Sequence, residues 1–595
     1  MLSVDFDALR QELSDHVIEG PKERYQFSWP DKSKARVIAN TPTTMTLRPC
    51  RKESVDFDNT KNLYIEGDNL EVLKILRKTY LGKIKMIYID PPYNTGNDFI
   101  YDDNFSISAK EYSENSGDLS NLGECLVLNS SSNGRFHTDW LNMMYPRLLL
   151  AKDFLRNDGV IFISIDDSEI SNLKKICIEI FGEGSFVATF PWRKRTAKSD
   201  VPFGISQDYE WIVCFAKRDY KASIEGKGRK YYETPDLPNR PWRYHDLTTQ
   251  KTASERPNSY FTIINPKNGK EYPADPNNTW RITSDTIKDY LAQNRIVFPG
   301  DYDFLKIGKP VLRYFKEDDM AKDGENYGRV AVSTKFPDEI GMSKEGTQNI
   351  LDLFDNKIFN FPKPTSLIEY LVDISINSSD DAIVMDFFSG SATTCSAVFN
   401  SNLKKSANTS FIAIQIPEAC NDGSEASRIG WTNICEIGKE RIRRSGKEIK
   451  SKLGSNMIDV GFRVYTLDSS NMTDVFYDSA SFKQMNIEEF GNNVKPDRSA
   501  EDLLIQAMLE LRIELSAKID TEIIENTPIS IVDNGFLVAC LSDKCSESVM
   551  TAIAKREVKP AYAVIRNGPG MTDQMLSNIE QIFKTYSPGT EVRYI

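Results

Sequence analysis

The chain carries a series of short runs that are apolar at nearly every position and stop abruptly at an acid, a glycine or a proline. Met86-Ile87-Tyr88-Ile89 stops at Asp90-Pro91-Pro92-Tyr93, Leu63-Tyr64-Ile65 at Glu66-Gly67-Asp68, and Ala382-Ile383-Val384-Met385 at Asp386. Gly159–Asp166, Trp211–Ala216 and Phe411–Ile416 have the same character. Runs of this length without polar alternation read as strands buried on both faces. Between them the apolar positions switch to helical spacing: Leu70, Val72, Leu73 and Leu76, then Trp140 to Leu150, a segment ending near Phe181, and another ending at Leu371. Strands alternating with helices predict an α/β chain with a doubly wound, mostly parallel sheet.

Two regions interrupt the alternation. Residues 102–136, rich in Ser, Asn and Gly, are too long for a simple connection and read as a mobile loop beside the sheet edge. Across residues 220–355 Pro, Gly, Asn and Tyr recur, Tyr260–Ile264 is only a short β-like stretch, and helical spacing returns at Asp285–Leu291. This region reads as an inserted domain. The expected organisation is an arm at 1–60 with a helix over Asp5–Ile18, one half of the sheet at 61–220, the insertion at 221–355, the other half at 356–455, and a C-terminal domain at 456–595 that opens with Val460–Tyr465. At about 150 residues per domain, a chain of 595 residues has room for three or four cores.

Composition narrows the class. An apolar fraction of 40% with 27% charged residues is that of a globular protein, and with no 18-residue apolar run or leader pattern the expectation is a cytoplasmic protein without membrane contact. Nine cysteines without a Cys-x-x-Cys pair, and three histidines, point to reduced thiols and to neither a zinc site nor a disulfide framework. A net charge of −12 argues against diffuse nucleic-acid binding. Residues 191–256 are different, with 14 Lys and Arg against 9 Asp and Glu, interleaved with Trp192, Tyr231, Tyr232, Trp242 and Tyr244. This is a local basic aromatic surface, or a solvated face. No internal repeat and no Gly-x-x-x-x-Gly-Lys-Ser/Thr loop is present, so this chain holds no ATP-driven motor.

Asp90-Pro91-Pro92-Tyr93 is the strongest chemical signal. The prolines lack the N–H a ladder needs, so they end the strand and stiffen the backbone that delivers Asp90 and Tyr93 to the sheet's carboxyl edge, where open α/β sheets bind ligands. A carboxylate and a proline carbonyl there suit the two N–H bonds of a nucleobase exocyclic amine, favouring its pyramidal, nucleophilic form, while Tyr93 stacks on the base. The same tetrapeptide is also an ordinary way to leave a strand. Asp386-Phe387-Phe388-Ser389-Gly390-Ser391-Ala392-Thr393-Thr394 runs from a strand through a small-residue turn into a helix, whose free N–H groups suit a carboxylate; it is equally a tight packing turn. Gln415 ends the next strand, where nucleotide-binding sheets present a ribose ligand, and Asp68 stands at a strand end as ligand or helix N-cap.

These residues resemble the amino-group DNA methyltransferases, which transfer a methyl group from S-adenosylmethionine to adenine N6 or cytosine N4. The order of amine-activating strand, insertion and cofactor turn resembles the β-group permutation, in which a target-recognition domain is spliced between two halves of one sheet. Tyr64–Lys74, Asp90–Gly96 and Gly134–His137 before Trp140 are especially similar to the modification (Mod) subunit of type III restriction-modification systems, with the likeness spanning 45–220 and 356–470. The resemblance implies a Rossmann-like methyltransferase fold and site-specific methylation of N6 on a flipped-out adenine in duplex DNA. It implies Asp90, Pro91, Pro92 and Tyr93 as the catalytic set and no metal. It places S-adenosylmethionine on Asp68, Asn69, Lys363, Pro364, Thr365, Asp386, Phe388, Gly390, Ser391 and Gln415. The basic aromatic region offers Arg193, Lys194, Arg195 and Arg243 to DNA, and the family implies a homodimer bound to an ATP-dependent restriction (Res) subunit through the arm or the tail after residue 456. The chain departs from the family at Ala392, where a further glycine is frequent, and at Gln415, where an acid is frequent; Glu418 is the acid nearby. The alternatives are an RNA or protein methyltransferase, which the large basic aromatic insertion disfavours, and a non-catalytic specificity subunit, which the intact Asp-Pro-Pro-Tyr disfavours.

Overall fold

The computed structural model describes residues 27–96, 99–101, 126–128, 134–196, 204–226, 228–324, 327–378, 380–452, 458–473, 493–542, 545–568 and 571–595. The helix expected at Asp5–Ile18 and most of the loop expected at 102–136 lie outside the described residues. The chain divides into two compact units, 1–221 with 333–595, and 222–332.

The first unit is organised on a nine-stranded sheet. Its strands in chain order are β1 (Met45–Pro49), β2 (Leu63–Glu66), β3 (Ile84–Ile89), β4 (Leu155–Ile165), β5 (Phe186–Arg193), β6 (Tyr209–Ala216), β7 (Ile383–Asp386), β8 (Ser410–Gln415) and β9 (Arg463–Ser469). In space they run β1-β9-β2-β8-β7-β3-β4-β6-β5. The six strands from β9 to β4 are parallel and the outer three antiparallel, so the sheet is mostly parallel. β7 and β8 come late in the chain yet lie between the early strands β3 and β2. Glu66, Gln415, Asp386, Ile89 and Ile165 therefore end parallel strands along one edge.

Helices α1 (Asn69–Leu76), α2 (Phe136–Phe154), α3 (Ile170–Phe181), α4 (Ser343–Phe354), α5 (Thr365–Ser375), α6 (Thr393–Lys405) and α7 (Ile434–Lys452) belong to the same unit. All six residues of β3 are buried, as a run without polar alternation requires. Each fully buried Ile or Met contributes about 1.5–3 kcal/mol of hydrophobic stabilisation. The edge that carries Asp90 is thus backed by a strand buried along its whole length.

Three findings differ from the sequence reading. β5 was not expected, because its burial is irregular and only Phe190 and Trp192 are fully buried. Residues 333–355, expected in the insertion, belong to the first unit; α4 is amphipathic, and Ile350 and Phe354 find their apolar partners in Ile358, Ala426 and Ile437. Cys540 and Cys545 are joined by a disulfide, which corrects the expectation of reduced thiols throughout; the two lie five residues apart in sequence with their Cα atoms 6.4 Å apart. The second unit is built on a four-stranded antiparallel sheet of Tyr232–Thr234, Leu237–Asp246, Val311–Phe315 and Ile296–Val297, with Trp242 packed on Val297, Leu305, Val311 and Phe315. No helix among the described residues is long and apolar enough to cross a membrane.

Candidate active site

Asp90 follows the last residue of β3, and its carboxylate is already engaged. Lys363 Nζ donates to Oδ1 at 2.8 Å and to Oδ2 at 2.7 Å, and the Tyr93 hydroxyl donates to Oδ1 at 2.8 Å. Lys363 arrives between Pro362 and Pro364, which hold its backbone extended ahead of α5. A second carboxylate comes from Glu210 on β6, 3.1 Å from the Tyr93 hydroxyl, 3.6 Å from Lys363 Nζ and 3.2 Å from Lys194 Nζ. Lys363 also lies over two rings, 5.0 Å from the centre of Tyr93 and 5.8 Å from that of Trp192, a distance suited to cation–π attraction. Burial alone would pull the Lys363 ammonium down, but the Asp90 and Glu210 carboxylates outweigh it and hold the group above its ordinary pKa. Burial and the same carboxylates push the Tyr93 hydroxyl well up, so it stays a donor.

The backbone of the tetrapeptide is fixed from both sides. The Trp140 indole donates to the Pro92 carbonyl at 2.7 Å, and among the described residues nothing donates to the Pro91 carbonyl. Asn94, at φ 63°, donates to the Phe136 carbonyl at 3.1 Å and to Glu169 at 2.6 Å. In front of Asp90 opens a cavity of about 670 Å³, the size of a small-molecule site, lined also by Trp192, Phe361, Phe388, Gly390 and Glu418. Phe361 stands at its rim, 85% exposed and at φ 53°, a conformation rarely adopted by a bulky residue.

Beside Asp90, β7 ends at Asp386. Burial pushes that carboxyl up to about 7, while it accepts from the Phe388 N–H at 3.1 Å and from the Thr394 hydroxyl. The turn that follows needs left-handed backbone at Gly390 (φ 52°) and at Ala392 (φ 61°). At Ala392, which unlike glycine carries a Cβ, this costs about 1 kcal/mol. Gly390 N–H donates to Gln415 Oε1 at 2.6 Å, so Gln415 braces the turn. Glu418 is half-buried at the cavity wall, its pKa raised by burial, and among the described residues no side chain donates to it.

Other expected residues lie elsewhere. Asp68 is the N-cap of α1, accepting from Glu71 N–H at 2.9 Å and from Arg147 at 3.1 Å. Asn69 donates to the Phe387 carbonyl at 2.6 Å and so ties α1 to the turn after β7. Pro364 caps α5, and Thr365 and Ser391 converge on the buried Arg441. Arg193 is exposed on β5, and Arg195 lines the cavity with Nε donating to the Gln207 carbonyl at 3.2 Å. Lys194 is paired with Glu210. In the second unit Arg243 is clamped by Asp319 at 2.6 and 3.0 Å. Sequence reasoning missed Glu210, Phe361 and Arg441, and named Trp192 only for the basic aromatic surface; an acid set in the apolar run of β6 was the one signal available.

A sequence family described as DNA methylase matches residues 84–430. The chain is 32% identical over 486 residues to the StyLTI Mod subunit, a type III restriction-modification enzyme of Salmonella typhimurium (strain LT2), covering 79% of this chain and 70% of that one. It is 33% identical over 475 residues to the EcoPI Mod subunit of Escherichia phage P1, covering 76% and 72%. To the EcoP15I Mod subunit of Escherichia coli it is 31% identical over 494 residues, again covering 76% and 72%.

Proposed function

The chain belongs to the DNA methylase family, among the Mod subunits of type III restriction-modification enzymes, and from that premise we propose that its cavity methylates N6 of an adenine flipped out of duplex DNA. The observation that carries this reading is a carboxylate, an accepting proline carbonyl and a tyrosine ring at the end of one buried strand. Extruding the base costs a few kcal/mol, which stacking on Tyr93 and hydrogen bonds at Asp90 offset. Asp90 and the Pro91 carbonyl accept the two N6 hydrogens and turn the amine's lone pair outward. To do so, Asp90 releases one oxygen from Lys363. Glu210 stays within 3.6 Å of that ammonium and keeps it from being stranded as a buried, unpaired charge.

S-adenosylmethionine, when bound, supplies an electrophilic methyl on a sulfonium. The residues fit it: Phe388 and the Gly390 turn offer a ring face and open backbone, and Glu418 offers an acceptor for ribose hydroxyls. Gln415 lines the cavity while holding the Gly390 N–H, and Asn69 ties α1 to the Phe387 carbonyl. Because the methyl is already activated, positioning is the main contribution of the protein, and positioning supplies about 7–11 kcal/mol. Asp90 need not be a strong base, since the amine becomes acidic only as the new bond forms. In the same reading 222–332 reads the DNA sequence, Arg193 and Arg195 meet the backbone near the cavity, and the chain works in the cytoplasm as a homodimer with a Res subunit.

Asp90→Ala tests the proposal. Single-turnover methyl transfer should fall on the order of 10²–10³-fold, the loss typical of a preorganised acceptor. Calorimetric titration of the same preparation should show S-adenosylmethionine still bound. Near-normal transfer by a folded, cofactor-binding variant would sink the mechanism.

A further inference from the structure

Arg441, on α7, has a fully buried side chain, and among the described residues no carboxylate pairs with it. Its bonds go to Ser391 Oγ at 2.9 Å, Thr393 Oγ1 at 2.7 Å, Thr365 Oγ1 at 3.1 Å and, more weakly, the Ser391 carbonyl at 3.4 Å. Its Nε and, two residues before Ser391, the hydroxyl of Ser389 are buried without a partner among the described residues. A guanidinium stays charged, and a charge in a dry interior is normally matched by a counter-charge. Hydroxyls cannot supply one. Ser391 Oγ and Thr393 Oγ1 share one hydrogen across 3.5 Å, and the remaining hydroxyl hydrogens are left to donate onward.

Two helices begin at the same point. Thr365 starts α5, of 11 residues, and Thr393 starts α6, of 13 residues, so two positive dipole ends converge on Arg441, the Thr365 N–H itself being taken by Asn349 Oδ1 at 3.0 Å. The carboxylate of Asp386 is committed to Phe388 and Thr394. Burial pulls the Arg441 pKa down to about 10, as expected of a cation short of negative charge.

We propose that Arg441 is the counter-charge for the methionine carboxylate of S-adenosylmethionine, acting through the hydroxyls of Ser391, Thr393 and Thr365. The inference rests on the cofactor reading above and assigns Arg441 a positioning role that a purely structural brace would not have. Calorimetric titration of the full chain with S-adenosylmethionine, its decarboxylated analogue and methylthioadenosine tests it. The wild-type chain should prefer S-adenosylmethionine over the decarboxylated analogue on the order of 10²-fold, the range for truncating one partner of a buried charge pair. Arg441→Met should abolish that preference and leave methylthioadenosine affinity unchanged, and Arg441→Lys should restore part of it. Equal affinity of the wild-type chain for the cofactor and its decarboxylated analogue overturns the proposal even if no variant folds. So does an Arg441→Met protein that weakens all three ligands alike. Failure of all three to bind the wild-type chain overturns the underlying cofactor reading instead.

Discussion

Asp386 couples the turn after β7 to pH. Its folded pKa of about 7 lies above the unfolded value of about 3.9, so its stabilising contribution is complete below pH 4 and is lost as pH rises through 7. Asp386→Asn keeps an acceptor for the Phe388 N–H and a donor for Thr394 but does not ionise. The stability gap between variant and wild type should widen by about 2–4 kcal/mol from pH 4 to 7 and then level off, read by thermal melts without cofactor. A flat gap would mean that Asp386 titrates normally. At this scale the sequence revealed what was local. Asp90, Pro91 and Tyr93 were legible because a strand, two prolines and a ring are contiguous, whereas Glu210 and Lys363 meet Asp90 only after the sheet has closed. Asp68 and Gln415 had the right position along their strands, but capping α1 and bracing Gly390 are contacts that spacing does not reveal.

Among the elements, α4 sets the position of Lys363 without reaching the cavity except at its first residue, Ser343. A Cβ on its Gly346 would lie 2.0 Å from the Pro362 carbonyl and 3.0 Å from the Lys363 carbonyl carbon. Propensity alone would make Gly346→Ala stabilising by about 1 kcal/mol. The backbone contact reverses that expectation, because Pro362 and Lys363 must move away from Asp90. The variant should lose at least about 10-fold in kcat, since a misplacement near 1 Å is worth up to about 10², with cofactor affinity little changed. Steady-state kinetics with normal turnover would show that Lys363 tolerates displacement. The buried strands were legible because their apolar runs admit no other period; β5 and α4 were not, because their faces are defined by partners distant in sequence.

For the whole molecule, the compactness of 222–332 makes it exchangeable. Replacing it with the corresponding unit of a relative should change which DNA sites are methylated while leaving S-adenosylmethionine affinity intact; an unchanged site map would place recognition elsewhere. The strand order has a further consequence, for synthesis. A ribosome delivers β2 and β3 first, yet the two strands that must lie between them emerge only after the entire insertion has been made. Until β8 is out, the nascent chain carries one half-sheet, β3-β4-β6-β5, with an open, apolar edge at β3, while β1 and β2 still lack the strands they pair with. The unit at 222–332 needs no later segment and closes on itself meanwhile. Half-made copies therefore hold the strand that ends at Asp90 without the turn that will lie beside it, and their site is incomplete until the last strands are made.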